Sequence, residues 1–375
     1  FFPANPLDIL ATSTLFVSQI ILNGMLAVDS FFFLSGLMVS FFWFKMYKKN
    51  ARKTNSLRGW IMFYVHRIWR LSPPLFINVL FYTFILKQLI IDSPYNLVEY
   101  AWWDKCSWTW WWEILYVHNY ADWRNICLGY SWYVDADMQI FLFTPILLLP
   151  MAFKPILAFI VASLVLIVST GLNIFMVYRF HWPVSYRSLL SDIYFSVTNY
   201  SFLMYESPSI RCQIYVMGMY IGWMLQRMRR LRMHWVSSHN SLERGSSERA
   251  SKTERFFTST FSLLTPLWRA MYSSLSRPAW GLVLSWIVIA CWYGYGGPIN
   301  DVMSASFWIP LGRLTYCGYL SQIPVIMLIS SLSKNEVWFS SLLETFTTLT
   351  IPIWTVTFLV AAIYSAVFEV TFVKV

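Results

Sequence analysis

The sequence predicts an all-α protein, a multi-pass transmembrane helical bundle of about eight spans. Three observations predict it. Of the 375 residues, 57% are hydrophobic and only 12% are charged, whereas a soluble domain carries ~25% charged residues. Apolar runs of roughly 20 residues, enough to cross ~30 Å of hydrocarbon, recur along the chain. The short alternating segments of a membrane barrel are lacking. Backbone groups in lipid must be satisfied within their own segment, so the apolar runs read as helices.

The spans follow in order. Met25–Phe44 carries Asp29 near its start and ends at a basic cluster. Leu71–Ile91 begins at Ser72-Pro73-Pro74. Trp132–Phe153 and Pro155–Tyr178 are separated by Lys154 alone. Ser209–Gln226 is short, carries Arg211 and is the weakest of the first five. Ala279–Gly297, Phe307–Ser330 and Phe346–Phe368 complete the set. One membrane domain is therefore expected in two parts, residues 1–226 with five spans and 279–375 with three. A basic hydrophilic cytoplasmic loop, 227–278, separates them.

The net charge of +10 reads as loop bias. Lys45, Lys48, Lys49, Arg52, Lys53 and Arg58 follow the first span with no acid among them. Arg227, Arg229, Arg230 and Arg232 follow the fifth. Both clusters are expected on the cytoplasmic side. The Trp-rich loop 92–130 is acidic on balance and is expected outside. Cys106 and Cys127 lie in it, where an oxidising compartment would let them pair; two separate thiols are the alternative. Asn199-Tyr200-Ser201 is a glycosylation sequon in the next outer loop. With no zinc-finger, helix-turn-helix or RNP-like pattern, no nucleic-acid partner is expected.

Several polar residues stand out in so apolar a chain. Asp29 opens the first span, where a carboxylate either contacts a polar partner lining a site or caps the helix. Arg67 and Arg70 are spaced i, i+3 and share a helix face. Their forked guanidinium groups suit phosphates; lipid headgroups or plain positive-inside charge are the blander readings. Asp135 and Asp137, two apart at the start of the third span, point to different faces. Asp135 fits a helix cap, whereas Asp137 and Gln139 lie deeper, so at least one should face inward. Gln322 in the seventh span is expected to be buried against a partner. Trp102, Trp103, Trp108, Trp110, Trp111 and Trp112 fit a membrane-interface belt better than a sugar platform. No HExxH, CxxC, GxSxG, Walker or GxGxxG pattern occurs. No metal site, hydrolytic triad or nucleotide fold is expected.

In their order these segments resemble the animal branch of membrane acyltransferase family 3, the nose-resistant-to-fluoxetine-like proteins. The matches run from Val28–Gly36 through Arg67–Pro73 to the loop from Cys106 through Trp111-Trp112 to Asn119. They continue from Cys127 through Trp132-Tyr133 to Asp137-Met138-Gln139. Pro208, Arg211, Tyr215, Gly218, Gly222 and Gly294–Gly297 follow, then Pro310 through Arg313–Cys317 to Tyr319-Leu320, and Phe368-Glu369.

The resemblance implies transfer of an acyl group from cytoplasmic acyl-CoA to a hydroxyl of a lipid or carbohydrate. It implies that Arg67 and Arg70 hold donor phosphates and that a first-helix histidine acts as base. That histidine is expected to be absent, because the chain starts after the position of that helix. The family also carries a hydrophobic helix where this chain has Arg227–Arg255. Its Tyr-Leu-x-His pattern here ends in Gln322, which cannot act as a base. The expected function is thus an integral membrane acyltransferase-like protein, an inactive form being the other version of that reading. Whether the chain is an enzyme stays open, and the catalytic candidates are Asp29, Asp137, Gln139 and Gln322. The alternative is a membrane protein that binds or transports a lipid or a small molecule such as a drug. Acyl-CoA is the expected co-substrate, with no bound cofactor. Membrane lipids and a lipid or glycan acceptor are the expected partners, in the plasma membrane or endoplasmic reticulum.

Overall fold

The computed structural model describes residues 24–90, 103–120, 126–180, 201–235, 266–332 and 338–369. Every regular element among them is helical. The main helices are α1 (Met25–Lys49), α2 (Leu57–Leu80), α3 (Trp103–Ile114), α4 (Trp132–Leu142), α5 (Pro145–Phe153) and α6 (Pro155–Phe180). They continue with α7 (Pro208–Trp235), α8 (Pro266–Tyr293), α9 (Gly297–Met303), α10 (Trp308–Leu332) and α11 (Ile351–Tyr364). Among the described residues, seven helical stretches are long and apolar enough to cross a membrane. They include Leu57–Leu89, Trp132–Phe153 and Leu342–Phe368. The chain is an all-α multi-pass membrane protein.

Two compact units make up the chain. One comprises residues 1–24, 55–139 and 301–375, the other 25–54 and 140–300.

In the second unit α1 packs along α7 through a seam of glycines. Gly218 and Gly222 are four apart and so lie on one face of α7. A Cβ on Gly218 would overlap the carbonyl oxygen of Phe33, one on Gly222 that of Leu37, and one on Gly36 that of Tyr215. Small residues of this kind let helix backbones approach closely in membranes. Around the seam Phe33, Leu37, Ile214, Ile221 and Leu225 form a buried cluster.

The fifth expected span, Ser209–Gln226, lies within α7. It is not among the seven apolar stretches, because Arg211 and Gln213 interrupt it. Both are buried, so α7 turns its polar groups to protein rather than to lipid.

The first unit is built on α2, α10 and α11. Pro73 and Pro74 sit inside α2, where they supply no backbone N–H. Tyrosine hydroxyls tie the helices around that stretch. Tyr316 Oη donates to the Leu71 carbonyl at 2.7 Å, and Tyr364 Oη donates to the carbonyl of Pro74.

Three boundaries differ from the expectation. The second span begins at Leu57, not Leu71, because Ser56 caps the helix by accepting from the Gly59 N–H at 3.1 Å. Arg58 therefore lies on the same helix as Arg67 and Arg70, whose shared helix face was expected. A hydropathy boundary ignores such caps. The third span is a broken rod, with α4 ending at Leu142 and α5 starting at Pro145. Within 227–278, helix reaches Trp235 and resumes at Pro266, and residues 236–265 lie outside the described residues.

Candidate functional site

The first unit gathers polar groups where α2, α3, the turn after α3 and the start of α4 meet. Arg67 on α2 forms an ion pair with Asp137 on α4. The guanidinium is 18% exposed and the carboxylate 10%, so the pair is not sealed in the interior. Two residues further along α4, Gln139 is fixed by three contacts. Its Nε2 donates to the Tyr116 carbonyl at 2.7 Å and to Asn119 Oδ1 at 2.7 Å, and its Oε1 accepts from Asn119 Nδ2 at 3.2 Å. Tyr116 pays for this with a φ of +57°, a left-handed conformation that bulky residues rarely adopt. Its hydroxyl pairs with Ser72 Oγ of α2 at 2.8 Å, and burial pushes it up to about 12.

Beside this lies a fully buried cluster. Glu113 ends α3, His118 sits in the following turn, and Asp135 lies on the first turn of α4. His118 Nδ1 hydrogen-bonds to Asp135 and stands 3.4 Å from Glu113 Oε2. Ser131 Oγ donates to Glu113 Oε2 at 2.5 Å, and the Leu128 N–H donates to Glu113 Oε1 at 3.0 Å. Burial pushes the Glu113 carboxyl up to about 7, with His118 opposing the shift and Asp135 adding to it. Glu113, His118 and Asp135 present ligand atoms within 4.8 Å of one another and could hold a metal ion. Ser131 Oγ lies 3.2 Å from the same Nδ1 that Asp135 contacts. A nucleophile relay needs opposite ring nitrogens for the hydroxyl and the acid, so the four residues do not form one. A disulfide between Cys106 on α3 and Cys127 closes this region.

The second unit holds a separate charged group. Asp29 on α1 pairs with Arg211 on α7, and both are almost fully buried. Arg277 Nε of α8 lies 3.9 Å from the other oxygen of Asp29. Arg211 Nε donates to the Tyr205 carbonyl at 2.8 Å, and its guanidinium sits 4.6 Å from the centre of the Tyr205 ring. Asp29 lies inside α1, not at its cap, and serves as an interhelical partner.

The sequence profile of a family described as "Acyltransferase domain", acyltransferase family 3, matches residues 1–370. The chain belongs to this family. It is similar to "Nose resistant to fluoxetine protein 6" of Caenorhabditis elegans, 28% identical over 348 residues. That alignment covers 86% of this chain and 41% of the relative. It is also 30% identical over 131 residues to "Regulator of hypoxia-inducible factor 1" of Caenorhabditis elegans, which covers 34% of this chain and 23% of that protein. The chain thus spans about two fifths or less of the length of these relatives. No solved structure matches it.

In this acyltransferase-family protein the residues singled out from sequence fall in several places. Arg67, Asp137 and Gln139 come together. Arg70 is exposed, one turn along α2 from Arg67. Asp29 belongs to the other unit. Gln322 is half-buried on α10 rather than buried, because that face of α10 is only partly covered. Asn199 and Trp102 lie outside the described residues. Trp108 is 82% exposed on α3, and Trp110 and Trp111 are also exposed.

The sequence reading missed Glu113, His118, Ser131 and Asn119 as site residues. Their spacings match no compact motif, since the turn after α3 brings them together. The pairing of Cys106 with Cys127 was the one signal that these segments meet.

Proposed function

We propose that this protein binds a cytoplasmic acyl-CoA through Arg67 and Arg70 and passes its acyl group to a hydroxyl of a lipid or carbohydrate. The observation that carries the reading is the Arg67–Asp137 pair, in a chain whose family is acyltransferase. The carboxylate holds the Arg67 fork in one orientation at a partly exposed position, and Arg70 follows it on the same face, with Cβ atoms ~5–6 Å apart. Two preset guanidinium groups at that spacing suit neighbouring phosphates, which they bind bidentately. The reading places Leu57 and the start of α2 on the cytoplasmic side, as the basic residues before it favour. It concerns donor binding and assigns no general base to this chain.

Binding of radiolabelled acyl-CoA to the full-length protein in detergent tests it. Loss of one charge-assisted contact is worth ~1.5–3 kcal/mol, about 10- to 100-fold in affinity. Arg70→Ala and Arg67→Ala should each weaken binding by at least about tenfold. Unchanged affinity in both refutes the assignment.

One observation favours a second reading. The name of the 28%-identical relative links that protein to fluoxetine. Under this reading the protein binds or transports a lipid or a small molecule such as a drug without chemistry. Acyl-CoA binding with no label transferred to any lipid or glycan would favour it.

A further inference from the structure

We propose that Glu113, His118 and Asp135 form a buried site for one divalent transition-metal ion, of the zinc or manganese type, which clips α3 to the start of α4.

The three side chains come from three local elements, and each is at most 1% exposed. Their ligand atoms lie within 4.8 Å of one another. The 3.4 Å between His118 Nδ1 and Glu113 Oε2 fits a common metal, since bonds of ~2.1 Å at the tetrahedral angle hold ligand atoms ~3.4 Å apart. Unlike a surface acidic patch, which water solvates, this cluster is closed to solvent on every member.

Charge decides between an ion and a bare network. Two buried carboxylates face one imidazole. With a protonated imidazole the group carries one negative charge, and with a neutral one it carries two. Burying net charge is costly and is normally relieved by a partner, a proton or a metal. A divalent cation with neutral His118 brings the total to zero. Without it a proton must do the same work.

The donor chemistry narrows the ion. One imidazole nitrogen and two carboxylates suit zinc or manganese, whereas calcium and magnesium prefer all-oxygen shells and copper(I) prefers sulfur. Metal binding replaces the Nδ1–H bond to Asp135 by coordination and releases that proton. Ser131 Oγ, 2.5 Å from Glu113 Oε2 and 3.2 Å from Nδ1, orients the carboxylate or supplies a fourth ligand. The Leu128 N–H holds the other oxygen of Glu113, as outer partners of metal ligands do. A closed site of this kind is structural. It sits in the same region as the Cys106–Cys127 disulfide.

The test uses full-length protein, purified through a peptide affinity tag with no chelator or nickel resin. Mass spectrometry of the metal content should find roughly one zinc or manganese per chain, and none in Glu113→Gln or His118→Gln. Because those variants can fail to fold, wild type is also stripped with a chelator and refilled with zinc or manganese chloride alone. Its melting temperature should fall on stripping and rise again with metal concentration. A wild type with less than about a tenth of an equivalent of metal, and no response to either ion, overturns the proposal. So does a well-folded His118→Gln protein that keeps its ion.

Discussion

Replacing Gly218 by alanine should destabilise the second unit, and the size follows from the seam. The new Cβ would overlap the Phe33 carbonyl oxygen and lie 3.0 Å from its carbon and 3.1 Å from the Leu37 nitrogen. All three are backbone atoms of α1 and cannot rotate away. Ordinary contacts begin near ~3.5 Å, so clearing that oxygen parts the helices by about 1 Å or more. A gap of ~0.5–1 Å forfeits a quarter to a half of each contact, so several tens of pairs at ~0.1–0.2 kcal/mol lose about 2 kcal/mol. That agrees with the ~1–3 kcal/mol typical of an overfilled interior. Gly171 on α6 is the control, because nothing lies within 4 Å of a Cβ there. Gly171→Ala should be neutral or stabilise by ~0.5–1 kcal/mol, since glycine costs a helix entropy. Unfolding of the purified proteins in mixed micelles, followed by Trp fluorescence, measures both. Equal midpoints for Gly218→Ala and wild type would refute the argument, as would an equal loss in Gly171→Ala.

Two further outcomes follow from the described contacts. Asp29→Ala leaves Arg211 buried without its carboxylate and should cost about 3–5 kcal/mol, whereas adding Arg211→Met should recover part of that loss. A double variant that is no more stable than Asp29→Ala in the same unfolding assay would contradict the pairing. Cys106→Ala with Cys127→Ala removes a link that closes 21 residues. Protection of the α3 region in hydrogen exchange should fall by about 3 kcal/mol, and unchanged protection would argue that the remaining contacts hold the region alone.

How much was legible varies with the kind of signal. Hydropathy alone marked the membrane helices, because an apolar run of bilayer length has few other uses in such a chain. The outer bounds of the third span were read correctly, as Trp132–Phe153, but its break at Pro145 was not. The start of α2 was misplaced because the cap at Ser56 is a polar signal, and the charged turn around Arg67 hid the helix from a hydropathy reading. α7 looked weak because Arg211 was counted as a cost. Its partner Asp29 is 182 residues away, and no local pattern announces such a pair. For the site, Arg67, Asp137 and Gln139 could be found because a polar group in an apolar helix needs a reason. His118 could not, since a histidine in a loop has many uses until the fold supplies its neighbours.

The exposure of the buried charges separates their roles. Asp29 with Arg211, and His118 with Asp135, are each sealed to within 2% of full burial. Such pairs fix which segments meet, and no phosphate-bearing donor reaches them without the fold opening. The Arg67–Asp137 pair is different, at 18% and 10% exposed. Partial exposure lowers the cost of exchanging one anion for another, because the displaced carboxylate is not shut into the interior. A phosphate can therefore take over Arg67 without stranding Asp137 in a dry interior, whereas an anion at Arg211 would strand Asp29. Among the described ion pairs, the pair on α2 and α4 is the more exposed, and ease of trading its partner is what the proposed donor site requires.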